Sequence, residues 1–246
     1  MARNTSRRWR GLTDLHLKII GAVLIAISTL GNTVLAESLG GASADNMTAL
    51  TVLVVCEVLS WCAIPMYAWL LVQGYQHTHN VLMYGVRLTA LAVISEVPYD
   101  LATSGKYFDM DSQNPVFALV VALIVLAVLD WGQSHLAGAA RVAVIVAVEL
   151  AGFLWMVLLH IGVRQQMLNM GVLILAFATI FHFLQDRENT MMLTAGLLGA
   201  VSFLAPGIGM AVLHYRNDEL GYSKPWVQWL FYALYPATLL AGALLV

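Results

Sequence analysis

"IPMYAWLLVQGYQHTHN", residues Ile64 to Asn80, begins as an apolar run suited to a bilayer interior and ends in a polar cluster with two histidines. Its reading decides the fold, because the same alternation of long apolar runs and short polar clusters recurs down the chain. Of 246 residues, 60% are hydrophobic and 11% charged, and the mean hydropathy is +0.79. A soluble domain has no use for that much apolar surface. In lipid the backbone must satisfy its own hydrogen bonds, so the runs read as helices. The fold class is therefore all-α, a polytopic helical membrane protein.

Working outward from Ile64–Asn80, the polar clusters mark about eight transmembrane helices, near 18–36, 48–72, 80–102, 115–130, 140–161, 168–184, 191–213 and 225–245. Each is long enough, with tilt, to cross a hydrocarbon core of about 30 Å. Residues 1–17 form a basic N-terminus and 18–246 a single transmembrane domain. The basic start resembles a signal peptide, but the apolar run after Lys18 lacks a small-residue cleavage site and reads as a retained first helix. Eight spans place both termini on one side, and the positive-inside rule makes that side cytoplasmic. Arg3, Arg7, Arg8, Arg10, Lys18, Arg141 and Arg187 then lie inside, against Lys106, Arg164, Arg216 and Lys224 outside. "GGASADN" and "YFDMDSQN" face outward and "QGYQHTHN" faces the cytoplasm.

A net charge of −2, with basic residues clustered only in the first ten positions, argues against nucleic acid as a partner. Cys56 and Cys62, six apart in one apolar segment, read as structural thiols. His77 and His79 point apart on a helix and have no third ligand nearby, so no metal is expected and a solvated helix terminus is favoured. There is no nucleophile elbow, Walker lysine motif, dinucleotide fingerprint or zincin motif. Pro65 and Pro98 lie inside spans and should kink or break them. "GIGM" at Gly207 to Met210 suggests close helix packing, and Trp226, Trp229, Tyr232 and Tyr235 an interfacial belt.

Ionisable residues inside a membrane should face the bundle interior and pair there. Glu57, Arg87, Glu96 and Glu149 fall within spans, and Asp100, His160 and His182 nearer span ends. Arg87 and Glu96 are nine residues apart, about 13.5 Å along one helix, too far for a direct pair. A cross-helix pair of Arg87 with Glu57 or Glu149 is expected instead. It would either fix helix register or border a polar cavity in which Arg87 clamps an anion and Glu96 serves as base or acceptor.

The order of "LKIIGAVLIAISTLGN", "IPMYAWLLVQGYQHTHN", "YGVRLTALAVISEVPYD", "QNPVFALVVALI", "MGVLILAF" and "WLFYALYPATLLAGALL" resembles the TraX family of integral membrane proteins, from about Leu17 to Leu244. That family is named for a protein that N-acetylates conjugative pilin. The resemblance implies an acyltransferase-like bundle, with transfer of an acetyl or other acyl group from acyl-CoA to an amine or hydroxyl at the membrane. At matching places the chain keeps Gly74, Thr78, Asn80, Arg87, Leu88, Ser95, Glu96, Pro98, Asp100, Asn114, Tyr235 and Pro236. If the chain is active, the resemblance implies catalysis by Glu96 or His77 with Arg87, and substrate binding by Asn80, Ser95, Asp100, Asn114 and Tyr235.

The departures point the other way. Ser28-Thr29 stands where the family usually has Asp-His, Ser60-Trp61 where it has Gly-Arg, Gln73 where it has an acid, Ala118 where it has Thr, and Thr238 where it has His. Hydroxyls are poor general bases. Two functions of different kinds follow. One is a noncatalytic accessory subunit that binds membrane lipids or another integral membrane protein. The other is an active acyltransferase with relocated catalytic groups, using acyl-CoA (acetyl-CoA) and modifying an envelope glycan, lipid or pilin-like protein. A transporter is a third, weakened by the lack of repeats.

Overall fold

Polar side chains start several of the helices. Thr13, Asn46, Asn80 and Asn169 each accept a hydrogen bond from the backbone N–H three residues on, satisfying a donor the helix leaves open. The computed structural model describes residues 11–245 apart from Ala42, Ala44, 165–167 and Asp218. Arg3, Arg7, Arg8 and Arg10, on which most of the charge bias rests, lie outside the described residues.

The chain opens with α1 (Asp14–Leu30), a π-helical turn (Gly31–Leu35) and a short α2 (Ala36–Ser38). There follow α3 (Met47–Ser60), α4 (Ala63–His77), α5 (Val81–Ser104), α6 (Val116–His135) and α7 (Gly138–Leu158). A two-residue ribbon, β1 (Val163–Arg164) antiparallel to β2 (Leu168–Asn169), leads into α8 (Met170–Leu184). The chain ends with α9 (Glu188–Val201), α10 (Ala205–Leu213) and α11 (Trp226–Leu244). The described residues contain six helical stretches long and apolar enough to cross a membrane, with α3 and α4 counted as one, and α8 is a shorter apolar helix. The protein is thus an all-α polytopic membrane protein.

The core lies where α4, α6 and α8 meet, around Trp69, Leu126, Phe177 and Phe181. Pro65 explains the interruption between α3 and α4. It has no N–H for the Trp61 carbonyl, which takes the Ile64 N–H at 3.1 Å instead. Pro98 and Pro236 are carried inside α5 and α11.

The connections sort into two ends. The 105–114 loop and the ribbon region share one end, since Gln113 N–H donates to the His160 carbonyl and Gly162 N–H to the Gln113 carbonyl. At the other end the C-terminus of α4 meets that of α8 through Gln76 and Gln185. "QGYQHTHN" therefore lies opposite "GGASADN" and "YFDMDSQN", as the sequence predicts.

The expected seventh span is different. α9 and α10 form a hairpin that returns to the end it started from. Arg216, just beyond α10, pairs with Glu188 at the start of α9, Nη2 to Oε2 at 2.7 Å, and its guanidinium lies 4.0 Å over the Trp69 ring. The hairpin tip lies at mid-depth, where Phe203 meets Trp61 edge-on at 5.2 Å. Phe203 and Leu204 take positive φ values of 64° and 59° to turn the chain there. Glycines permit the fold: a Cβ on Gly199 would come within 2.8 Å of Gly207 Cα, and one on Gly209 would collide with the Cys62 carbonyl. The close packing expected of "GIGM" is realised within this hairpin and against α3–α4.

Among the described residues, seven helical stretches therefore join the two ends and one hairpin does not. The start of α1 and the end of α11 lie at opposite ends, correcting the expectation that both termini share a side. α11 runs parallel to α1: Tyr222, just before it, is bonded to Lys18, and near its end Gly242 packs on Thr29 and Thr33. The folded-back hairpin also moves Arg216 and Lys224 to the end that carries Lys18, Arg141 and Arg187, leaving Lys106 and Arg164 at the other.

Two outcomes check this arrangement. Cysteines placed at Leu245 and Ser43 react with an impermeant thiol reagent from the same face of the membrane, and one at His79 from the opposite face. Gly209→Leu, which pushes a side chain into the Cys62 carbonyl, lowers stability by about 1–3 kcal/mol, read as a lower melting temperature in detergent.

Candidate functional site

A cavity of about 640 Å³ lies between α1, α4, α5 and α11, with contributions from α6 and α8. At the end carrying His77 its lining is polar: Asp14, Lys18, Gln73, His77, Thr78, Tyr84, Arg87, Tyr222 and Gln228. Lys18 donates to the Tyr222 hydroxyl at 2.8 Å and sits 4.8 Å from that ring's centre. Gly74 allows the Tyr84 hydroxyl to approach α4; a Cβ there would stand 2.7 Å from it. Nδ1 of His77 lies 2.8 Å from the Gln73 carbonyl. A carbonyl only accepts, so Nδ1 carries the proton and Nε2 keeps its lone pair in the neutral ring.

Arg87 is half-buried six residues into α5, and its Nε donates to the Met83 carbonyl at 3.3 Å. It has no carboxylate partner among the described residues. The expected pairing with Glu57 or Glu149 is not formed, because both acids are engaged by neutral donors. Oε2 of Glu57 accepts from the Ser28 hydroxyl at 2.7 Å and from Asn32 Nδ2 at 3.1 Å, and Oε1 of Glu149 accepts from Thr179 at 2.8 Å.

The body of the cavity is apolar, lined by Ile25, Ile64, Leu71, Leu88, Leu119 and Ile174 among others. Its far end carries hydroxyls, Ser28, Ser60, Tyr99, Tyr235 and Thr238, while the Tyr67 ring packs beside Gly21, nearer Lys18. Several are already committed within the protein. Ser28 bonds Glu57, Ser60 the Glu57 carbonyl at 2.7 Å, Thr238 the Tyr235 carbonyl at 2.8 Å, and Tyr99 lies 3.0 Å from Ser112 Oγ. Ser28, Ser60, Gln73 and Thr238, from four different helices, thus face one cavity.

Of the residues assigned by sequence, His77, Arg87 and Tyr235 line this cavity, and Tyr232 joins them. The two tyrosines therefore turn inward, while Trp226 and Trp229 stay exposed as a belt would require. Glu96 lies elsewhere. Its Oε2 accepts from the backbone N–H and Nδ2 of Asn114, at 3.2 and 2.5 Å. Asn114 also donates to the Ala92 carbonyl at 2.8 Å and accepts from Val116 N–H at 2.9 Å, tying α5 to the start of α6. Asp100 accepts the Asp109 N–H at 3.0 Å, Ser95 is fully buried, and Asn80 caps α5. Sequence reading passed over Lys18, Tyr84 and Tyr222 as cavity residues; only their positions near helix ends hinted at a role. It also missed a cluster outside the cavity, where Asp130 joins Tyr75 at 2.6 Å and His182 at 3.0 Å.

A family model described as TraX protein matches residues 16–246. No curated protein and no solved structure matches the chain.

The Glu96–Asn114 bond sets a test. Glu96→Ala strands two donors of a buried asparagine and destabilises the protein by about 1–3 kcal/mol. Arg87→Gln removes no bond to a partner side chain and leaves the melting temperature within the error of the wild type. Thermal unfolding of the two variants in one detergent reads the difference.

Proposed function

Because the chain belongs to the TraX family of membrane proteins, we propose that it is a noncatalytic, acyltransferase-like membrane subunit. Its central cavity holds an acyl-bearing membrane amphiphile, and its bundle associates with another integral membrane protein. One observation carries this reading: the cavity is present, while the groups at its depth are serine, threonine and tyrosine hydroxyls. Where the family resemblance leads one to expect an aspartate, an acid and a histidine, the lining has Ser28, Gln73 and Thr238. The charged residues among the lining, Asp14, Lys18 and Arg87, gather with His77 at one end. Such a cavity suits retention of an apolar chain, each buried methylene contributing about 0.8 kcal/mol relative to water. Among the described residues its far end is lined by no acid or histidine to move protons near neutral pH.

In this reading the protein resides in a plasma membrane with the His77 end in the cytoplasm. Lys18, Arg141, Arg187, Arg216 and Lys224 at that end, against Lys106 and Arg164, support the orientation.

A second reading, acyl transfer, is favoured by His77. Its Nε2 lone pair could take a proton from an attacking amine or hydroxyl, while Arg87 meets the negative charge growing on the acyl carbonyl oxygen. That chemistry would sit at the mouth, without Glu96.

Purification from native membranes in mild detergent, combined with an acyl-CoA turnover assay, decides between them. A near-stoichiometric protein partner and no turnover are expected. A protein that emerges by itself and releases CoA, with release lost in His77→Gln at unchanged melting temperature, overturns the noncatalytic reading.

A further inference from the structure

We infer that the cavity's ligand carries one long acyl chain and an anionic head, with Arg87 as its anion contact. The inference rests on the reading of this cavity as an acyl-ligand site and names the ligand class.

Length is the first argument. From the cations Lys18 and Arg87 to the far-end residues Ser28 and Tyr99 the lining follows α1 and α5, with Asp14 and Tyr84 lying beyond the cations at the mouth. These stretches rise about 15 and 18 Å, which is about half of a 30 Å hydrocarbon core and so the depth that one leaflet's acyl chains fill. The wall between their ends is apolar on α1, α4, α5, α6 and α8. An acetyl group would touch only a fraction of it.

Volume is the second. At about 30 Å³ for a methylene-sized group, taken as roughly that of a water molecule, 640 Å³ holds about twenty such groups. That accommodates one membrane-length chain and the first atoms of a head.

Charge is the third. The formal charges of Asp14, Lys18 and Arg87 leave the polar end with one excess positive charge. Lys18 is engaged by the Tyr222 hydroxyl, whereas among the described residues the Arg87 guanidinium makes one hydrogen bond, from Nε to the Met83 carbonyl. An arginine this far into a span, with no acid beside it among the described residues, is complemented by an anion that enters with the chain. A carboxylate or phosphate close to the chain's polar end supplies that charge. Long-chain acyl-CoA and single-chain phospholipids share this chemistry.

The test uses the full-length protein in amphipol, with empty amphipol as the background to subtract. Displacement of a bound fluorescent fatty acid, cis-parinaric acid, is measured with acyl-CoAs from acetyl to palmitoyl, palmitoyl lysophosphatidylglycerol and neutral monopalmitoylglycerol. Affinity is expected to rise by up to about fourfold per added methylene until the chain fills the cavity. Arg87→Gln should weaken the anionic palmitoyl ligands by about tenfold and leave the neutral one unchanged. Ala22→Phe, which intrudes on the apolar body, should move the best chain length downward. Stronger displacement by the CoA thioester or by the lysophospholipid identifies the source of the shared chemistry. Acetyl-CoA competing as well as palmitoyl-CoA, or an Arg87→Gln protein that still prefers anionic ligands, overturns the inference while acyl binding stands. If neither the probe nor any acyl ligand binds above background, the acyl-ligand reading falls with it.

Discussion

Backbone carbonyls freed inside a membrane must be covered by protein, and the interruption between α3 and α4 is where this constraint shapes the molecule. Pro65 withholds an N–H, the chain turns at Trp61–Cys62, and the α9–α10 hairpin fills the place alongside. Gly209 lies against the Cys62 carbonyl and Phe203 against the Trp61 ring. The hairpin's outer end is fastened by Arg216, which pairs with Glu188 and covers Trp69. From there the chain runs along the start of α1, with Leu12 N–H on the Tyr215 carbonyl and Asn217 N–H on the Leu12 carbonyl. That path delivers Tyr222 to Lys18 at the cavity mouth. One missing N–H in α4 thus connects to the shape of the cavity mouth.

Most of the helices were legible in the sequence, because long apolar runs bounded by polar clusters have few other solutions in lipid. The hairpin was not. Residues 191–213 are apolar throughout, and proline and glycine occur in genuine spans often enough that Pro206 and Gly207 do not announce a reversal. The flanking charges mislead as well. Glu188 and Arg216 look like the two wet ends of one crossing helix, and only their contact shows that they occupy the same end.

The candidate site was legible in part. Arg87 and His77 stood out as polar groups in or beside apolar runs, and both line the cavity. Glu96 stood out for the same reason yet serves a bond across to Asn114, because period and spacing say which face of a helix a residue occupies but not which neighbour meets it. The expected ion pairs failed on the same ground. Glu57 is engaged through Oε2 by Ser28 and Asn32, neutral residues that carry no hint of partnership in a linear reading. The family resemblance contributed what spacing could not: Ser28, Ser60, Gln73 and Thr238, noted only as departures from a pattern, come from four helices and face a common space.

The corrected path of the hairpin also bears on orientation. With eight spans, Arg216 and Lys224 oppose the positive-inside rule, and the bias depends on the first ten residues. With the hairpin folded back, five of the seven cations near described helix ends lie at the His77 end without any help from the N-terminus. The same end carries the polar half of the cavity lining, while the opposite end is lined by hydroxyls largely committed to internal bonds. A molecule whose charged head stays near water and whose chain seeks the apolar body therefore has one favourable direction of entry, from the cation-rich face. The helix that turns back at mid-depth, the distribution of positive charge and the polarity gradient along the cavity all select that face.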